Sequence, residues 1–269
     1  MSELLGLEHL ALEDEGPTLT LSVRSGQSVA ILGPAASGKT RLLNVLAGQE
    51  RPGQGRVHLR GRVAHAGSEG LSRRTKVQAI PRVSLDVATE VLLTLGLHEV
   101  RNVSYGDLSP TQAVACELVN PLLSDAEVML FDGQLDLLDP WTGAMVQERL
   151  RRERAKGRTV VFVTHRPDLA ARADAVIVLR GNQVRFAGSM EELLRAGSPH
   201  TVTVSTEDQA GVKALVEPFE VSVRLEGDTM RLEAKEGQAL AARLLLEGYG
   251  DVRYVVVRPP TFEEALRRI

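Results

Sequence analysis

Eight residues, Gly33-Pro34-Ala35-Ala36-Ser37-Gly38-Lys39-Thr40, fit the spacing G-x-x-x-x-G-K-T, and that spacing suits phosphate. Small residues let backbone N–H groups wrap an anion, the following helix adds the positive end of its dipole, and a lysine reaches the outermost charge. Lys39 is the candidate for that contact, and the Thr40 hydroxyl is placed to ligate Mg²⁺. The context is the one the chemistry requires. The apolar run SVAIL (28–32) reads as a strand before the loop, and RLLNVLAG as a helix after it that stops at Gly48.

Two further residues belong to the same chemistry. Val128-Met129-Leu130-Phe131 runs into Asp132, a carboxylate at a strand end and a natural partner of that Mg²⁺. His165 follows TVVFVT (159–164), at the C-terminal edge where open α/β sheets bind ligands. The remaining histidines, at 9, 58, 65, 98 and 200, show no metal-ligand spacing.

The elements that must hold these residues follow from pattern. Strands are expected near 17–23 and 28–32, then at 55–61 and 62–66, with polar, basic, irregular sequence over 67–83. Apolar positions 87, 88, 91, 92 and 95 give a helical stripe over 84–97, with Ser84 as its cap. A helix from Ser109 to Leu118, a strand at 127–132, a helix near 141–156 and strands at 159–164 and 175–179 follow. Strands without polar alternation, separated by helices, indicate a mostly parallel sheet covered on both faces.

Gly197-Ser198-Pro199 reads as a linker, dividing the chain into 1–196 and 200–269. Beyond it the order strand (200–206), helix (207–217), strand (219–225), strand (229–234), helix (237–247), strand (252–258) suggests a small α+β domain of ferredoxin-like type. Pro259-Pro260 opens a last helix, with Thr261 and Glu264 as a capping box.

Bulk properties narrow the class. The 269 residues are 43% hydrophobic and 25% charged with a net charge of −3, an ordinary globular composition without a general pull toward nucleic acid. Aromatics at 3% argue against base-stacking platforms. The single Cys116 excludes an internal disulfide framework and fits a reducing compartment. MSELLGLEHLALEDE has no basic segment before an apolar core, and no apolar run reaches the roughly 20 residues of a membrane span. A membrane role would come through a separate chain.

In sequence order the motifs resemble those of the ATP-binding subunits of ABC transporters, over about residues 5 to 195. SGQSVAILGPAASGKTRLLNVLAG is similar to that family's Walker A region, GDLSPTQ (106–112) stands where its LSGGQ signature belongs, and VMLFD resembles Walker B. DLLDP (136–140) resembles the D-loop, His165 the switch histidine, and AGSMEELL (187–194) the usual ending. The tail VVVRPPTFEEALRRI is reminiscent of ABC-2 exporter ATPases. The resemblance implies an ABC-type P-loop NTPase domain with a trimmed helical subdomain. It also implies ATP and Mg²⁺ held between two head-to-tail nucleotide domains, in a homodimer or a heterodimer with another ABC ATP-binding subunit. A membrane permease partner and a cytoplasmic, peripheral position on the inner face of the membrane complete that expectation.

The chain departs from the pattern in four places. Gly133 replaces the glutamate that polarises the attacking water, and Gln134 and Asp136 are the polar residues nearby. Losing a base of that kind costs about 10²- to 10⁴-fold in rate and spares binding. The signature reads Leu108-Ser109-Pro110-Thr111-Gln112, in which Ser109 and Gln112 make a capping box and Pro110 lacks an N–H. HLALEDEGPT has no aromatic to stack on adenine, and the stretch between Lys39 and Leu108 is short. Gln78 is the Q-loop candidate, Gln54 reading as turn material. These departures point to an ATP-binding subunit with weak or absent hydrolysis. The alternatives are an active exporter ATPase with a displaced base and a non-catalytic ATP-responsive regulator.

Overall fold

A computed structural model describes residues 3–67, 71–197, 199–247 and 252–269. The chain forms two compact units, Met1–Met190 and Glu191–Ile269. Ser198 of the expected linker lies outside the described residues, as do 68–70 of the irregular stretch.

The first unit opens with β1 (Glu3–Ala11), β2 (Leu19–Arg24) and β3 (Ser28–Leu32). After the phosphate-loop motif come α1 (Lys39–Leu46), β4 (Gln54–Leu59) and β5 (Val63–His65). Next are α2 (Leu85–Thr94), α3 (Pro110–Glu117), α4 (Val119–Leu123) and β6 (Val128–Asp132). Then α5 (Pro140–Ala155), β7 (Thr159–Val163), α6 (Pro167–Ala170), β8 (Ala175–Arg180) and β9 (Gln183–Gly188) follow, with α7 (Met190–Gly197) at the division between units.

Six of these strands make one sheet in the order β5-β6-β7-β3-β8-β9, parallel except for β9. Every residue of β3 and β7 is buried, as is all of β6 but Asp132, which is why these strands read as unbroken apolar runs. Three strands in the order β2-β1-β4 form a separate antiparallel sheet. Leu5, Leu7, Leu10 and Leu12 join α1 and the parallel strands in one core.

β1 was not expected. Its pairing with β2 shifts register between Glu3 and Leu5 and again between Leu7 and Leu10, and His9 sits at φ 47°. Two irregularities in nine residues break the period-2 alternation by which strands are read. β9 was missed for another reason. It is the antiparallel edge strand of a hairpin whose turn is Gly181-Asn182, both at positive φ, and that dipeptide between apolar runs is itself the hairpin signal.

Helix boundaries show what local chemistry does. Asp139 caps α5 by accepting from the N–H groups of Trp141 and Thr142 at 3.0 Å each, with Pro140 at N1. Bonds from Thr142 and Trp141 hold the Asp139 carboxyl below the ordinary range. Ser84 stands at the N-cap of α2 with extended backbone, but its hydroxyl makes no capping bond. The helix expected as one piece from Ser109 to Leu118 is α3, and α4 follows directly from Leu118.

In the second unit β10 (His200–Thr206), α8 (Gln209–Val216), β11 (Val221–Glu226), β12 (Thr229–Ala234), α9 (Gly237–Glu247) and β13 (Val252–Arg258) precede α10 (Phe262–Arg268). The sheet is antiparallel in the order β11-β12-β10-β13. With two helices crossing over, that order is the ferredoxin-like arrangement. Val202, Val204, Met230 and Leu232 meet Val212, Val216, Leu240 and Leu244 of the helices in a single core on one face. Arg268 of α10 bonds Glu233, whose side of β12 is the other face. The Thr261–Glu264 capping box forms with both bonds present.

Candidate functional site

The loop from Gly33 to Thr40 leaves the C-terminal end of β3 and enters α1. Gly33 and Gly38 occupy left-handed backbone, at φ 153° and 94°, and Ala36 does so at 58°. A methyl group on Gly33 would lie 2.3 Å from the Leu179 carbonyl, and one on Gly38 would lie 2.8 Å from Asn182 Oδ1. The Leu179 backbone at Gly33, and the Asn182 and Leu12 side chains at Gly38, therefore fill the space where a side chain would stand, and the loop closes into a cradle only with these glycines.

Lys39 is buried and folds back on the loop. Its Nζ donates to the Gly33 carbonyl at 3.0 Å and to that of Pro34 at 2.6 Å, with Ser37 Oγ at 3.5 Å. Burial lowers its pKa, and the charge of Asp132 works the other way. A cation held at a desolvation cost, with only backbone carbonyls and a hydroxyl in contact, has no counter-ion bonded to it, which suits phosphate. Pro34, Ala35 and Ser37 complete the wall, and Thr40 is exposed at the helix start. Asp132 ends β6, beside β7. Thr40 and Asp132 are the residues that would hold Mg²⁺.

Asn182 supports this loop, and sequence reasoning did not single it out. Its N–H donates to the Ser37 carbonyl at 3.1 Å and its Nδ2 to Glu13 Oε1 at 3.1 Å. The 12–15 segment, which carries no aromatic ring, thereby lies against the loop.

Gly133 sits at φ 86° and ψ −5°, capping the tight turn Gln134–Asp136. The two polar residues near it both make hydrogen bonds. Asp136 accepts from Thr164 Oγ1 at 2.5 Å and from the His165 N–H at 2.7 Å. Gln134 is buried, its Nε2 donating to Glu117 Oε2 at 3.0 Å while its Oε1 has no partner among the described residues. Asp136 thus fixes the loop that presents His165, whose side chain is exposed. Asp136→Ala should destabilise the fold by about 1–3 kcal/mol, because the buried Thr164 hydroxyl and the His165 N–H lose their acceptor. Urea unfolding measures it, and an unchanged midpoint would deny Asp136 this role.

Asp132, Glu117 and Gln134 line a polar cleft of about 890 Å³, with His65 at the end of β5, Ala66 and Gly67 after it, and Asn120 of α4. Gln78, the Q-loop candidate, is elsewhere. It lies in the short turn Val77–Ala79, with its N–H on the Arg101 carbonyl, and it does not line this cleft. The residues at the end of the sheet strand are His65-Ala66-Gly67, with no glutamine.

Ser109 and Gln112 form the expected capping box: Ser109 Oγ accepts from Gln112 N at 3.3 Å, and Gln112 Oε1 from Ser109 N at 3.1 Å. Both side chains serve α3 and neither bonds the phosphate loop. Ser109→Ala should cost about 1 kcal/mol, read as a lower urea midpoint. An unshifted midpoint would show that the cap contributes nothing.

A glycine-shaped phosphate loop between a buried parallel strand and a helix, with a carboxylate at the end of the next strand but one, defines a P-loop nucleotide-binding protein. Residues 17–135 match the ABC transporter family. The chain is 31% identical over 195 residues to a macrolide export ATP-binding/permease protein of Paracoccus denitrificans (strain Pd 1222), covering 62% of this chain and 29% of that protein. It is 24% identical over 280 residues to the Nod factor export ATP-binding protein I of Rhizobium meliloti (strain 1021), covering 93% and 82%. Among solved structures, an ATP-binding subunit of an ABC transporter superposes with a TM-score of 0.63 at 19% identity, over 71% of this chain and 92% of that one. A nucleotide-free ATP-binding cassette gives 0.59 at 20%, over 71% and 93%. The chain thus spans under a third of that macrolide export protein and most of the Nod factor export protein. Over residues 17–135 it is similar to ABC transporters, and its fold is that of solved ATP-binding cassettes. Among the described residues no helix is long and apolar enough to cross a membrane.

Proposed function

We propose that this chain is the ATP-binding subunit of an export complex, holding Mg-ATP at a dimer interface and hydrolysing it slowly or not at all when isolated. One observation carries the second half of that reading. Where an ABC ATPase places its general base, the chain has Gly133 in left-handed backbone, and the neighbouring Asp136 and Gln134 are tied to Thr164, His165 and Glu117. Binding needs none of these groups. The loop amides, Lys39, Thr40 and Asp132 hold the phosphates and metal, and His165 stands at the edge where a γ-phosphate contact is made.

The composite geometry of the family gives the defects an uneven weight. In a homodimer both sites would lack the base and would face LSPTQ. With an intact partner, one site would lack only the glutamate, and the other would set the partner's full machinery against LSPTQ. A membrane permease is the remaining partner, with this chain peripheral on the cytoplasmic face, by analogy with the export proteins above. Steady-state phosphate release by the purified chain, beside equilibrium ATP binding, tests the reading. Binding without appreciable release is expected, and brisk release that disappears in Lys39→Ala would overturn it.

A further inference from the structure

The second unit leaves one sheet edge open. β13 pairs with β10 on one side only, and the outer row of its N–H and C=O groups has no partner among the described residues. Its sequence from 253 to 258 is Arg-Tyr-Val-Val-Val-Arg. Tyr254 and Val256 are 47% and 53% exposed, on the face away from α8 and α9. Val255 and Val257 point to the core but stay half-buried, since nothing continues the sheet beyond them.

A long apolar edge invites pairing, and proteins usually guard such edges with charge. The opposite edge is guarded: β11 exposes Arg224 and Glu226 there. On β13 the guards are cancelled within the chain. Arg253 is paired with Glu207, and Arg258 with Glu264 at 2.8 Å. The edge that remains is apolar, electrically neutral and free of proline from 252 to 258.

We infer that β13 is an interface for a second copy of this chain, the two strands pairing antiparallel about a two-fold axis to make one eight-stranded sheet. A two-fold axis perpendicular to the sheet keeps like faces together, so residues of like parity meet. With Val255 opposite Val255 of the second copy, each Tyr254 lies beside the other copy's Val256, an aromatic–β-branched pair of the kind that stabilises sheets. No arginine faces an arginine in this register. The neutral edge argues for a second copy over a partner of opposite charge, which would have nothing here to complement. This interface does not depend on the nucleotide site and would hold two chains together without ATP.

The test uses the full chain in EDTA without nucleotide, which removes any ATP-driven association. Sedimentation should show a dimer, and Val256→Asp, at an exposed position, should weaken it at least tenfold by setting a carboxylate beside the partner's tyrosine. Val255→Cys should form a covalent dimer on mild oxidation. The native Cys116 will not compete, since it is buried and its thiol is pushed up to about 12. Leu246→Cys, at a highly exposed helix position, serves as the control. A wild-type monomer at tens of micromolar, a dimer indifferent to Val256→Asp, or crosslinking no faster than the control would each overturn the inference.

Discussion

Lys39→Ala should lower ATP affinity by about 10²- to 10⁴-fold and leave the nucleotide-free fold as stable as before. Two charge-assisted hydrogen bonds to phosphate, at about 1.5–3 kcal/mol each, account for that range. The unchanged stability has a separate reason. Lys39 is held buried with its pKa pulled down, so its charge is a burden until an anion arrives. Losing it also removes its bonds to the Gly33 and Pro34 carbonyls, and the two effects offset. The readout is thermal unfolding with and without ATP. At 100 times its dissociation constant a ligand adds about 2.7 kcal/mol of stability, so a clear wild-type shift should vanish in the variant. A variant that keeps its full shift would place the nucleotide somewhere else.

Gly133→Glu should raise phosphate release by about 10²-fold over Gly133→Ala, the lower end of what a general base supplies. The alanine variant is the proper reference, because any side chain at φ 86° carries a backbone cost of about 1–2 kcal/mol. Both variants should therefore unfold at lower urea concentration than wild type, by similar amounts. Space is not the obstacle, since a Cβ at 133 would meet no atom within 4 Å. Any difference between the two then belongs to the carboxylate alone. Equal release from both would mean that the site lacks more than its base.

Much of this was legible before the structure. The phosphate loop, Asp132 and His165 stood out because the chemistry of that site ties residue type to spacing, and buried strands such as TVVFV carry an unbroken apolar signal. The second unit was readable because β12 alternates cleanly, with Met230, Leu232 and Ala234 inward. β1 escaped because its irregularities and His9 scramble that alternation. Asn182 and Glu117 escaped because their roles are tertiary. Nothing local to Asn182 says it will hold Ser37, and nothing local to Glu117 says it will hold Gln134. Gln78 is the glutamine composition offers in that stretch, and its place in the fold, the Val77–Ala79 turn rather than the strand end at His65-Ala66-Gly67, is set by tertiary topology.

By clasping Thr164 and the His165 N–H, Asp136 locks the turn that Gly133 begins. A carboxylate grafted at 133 would enter a turn already held from both ends, so it would have to strain that backbone at φ 86° before it could reach a water.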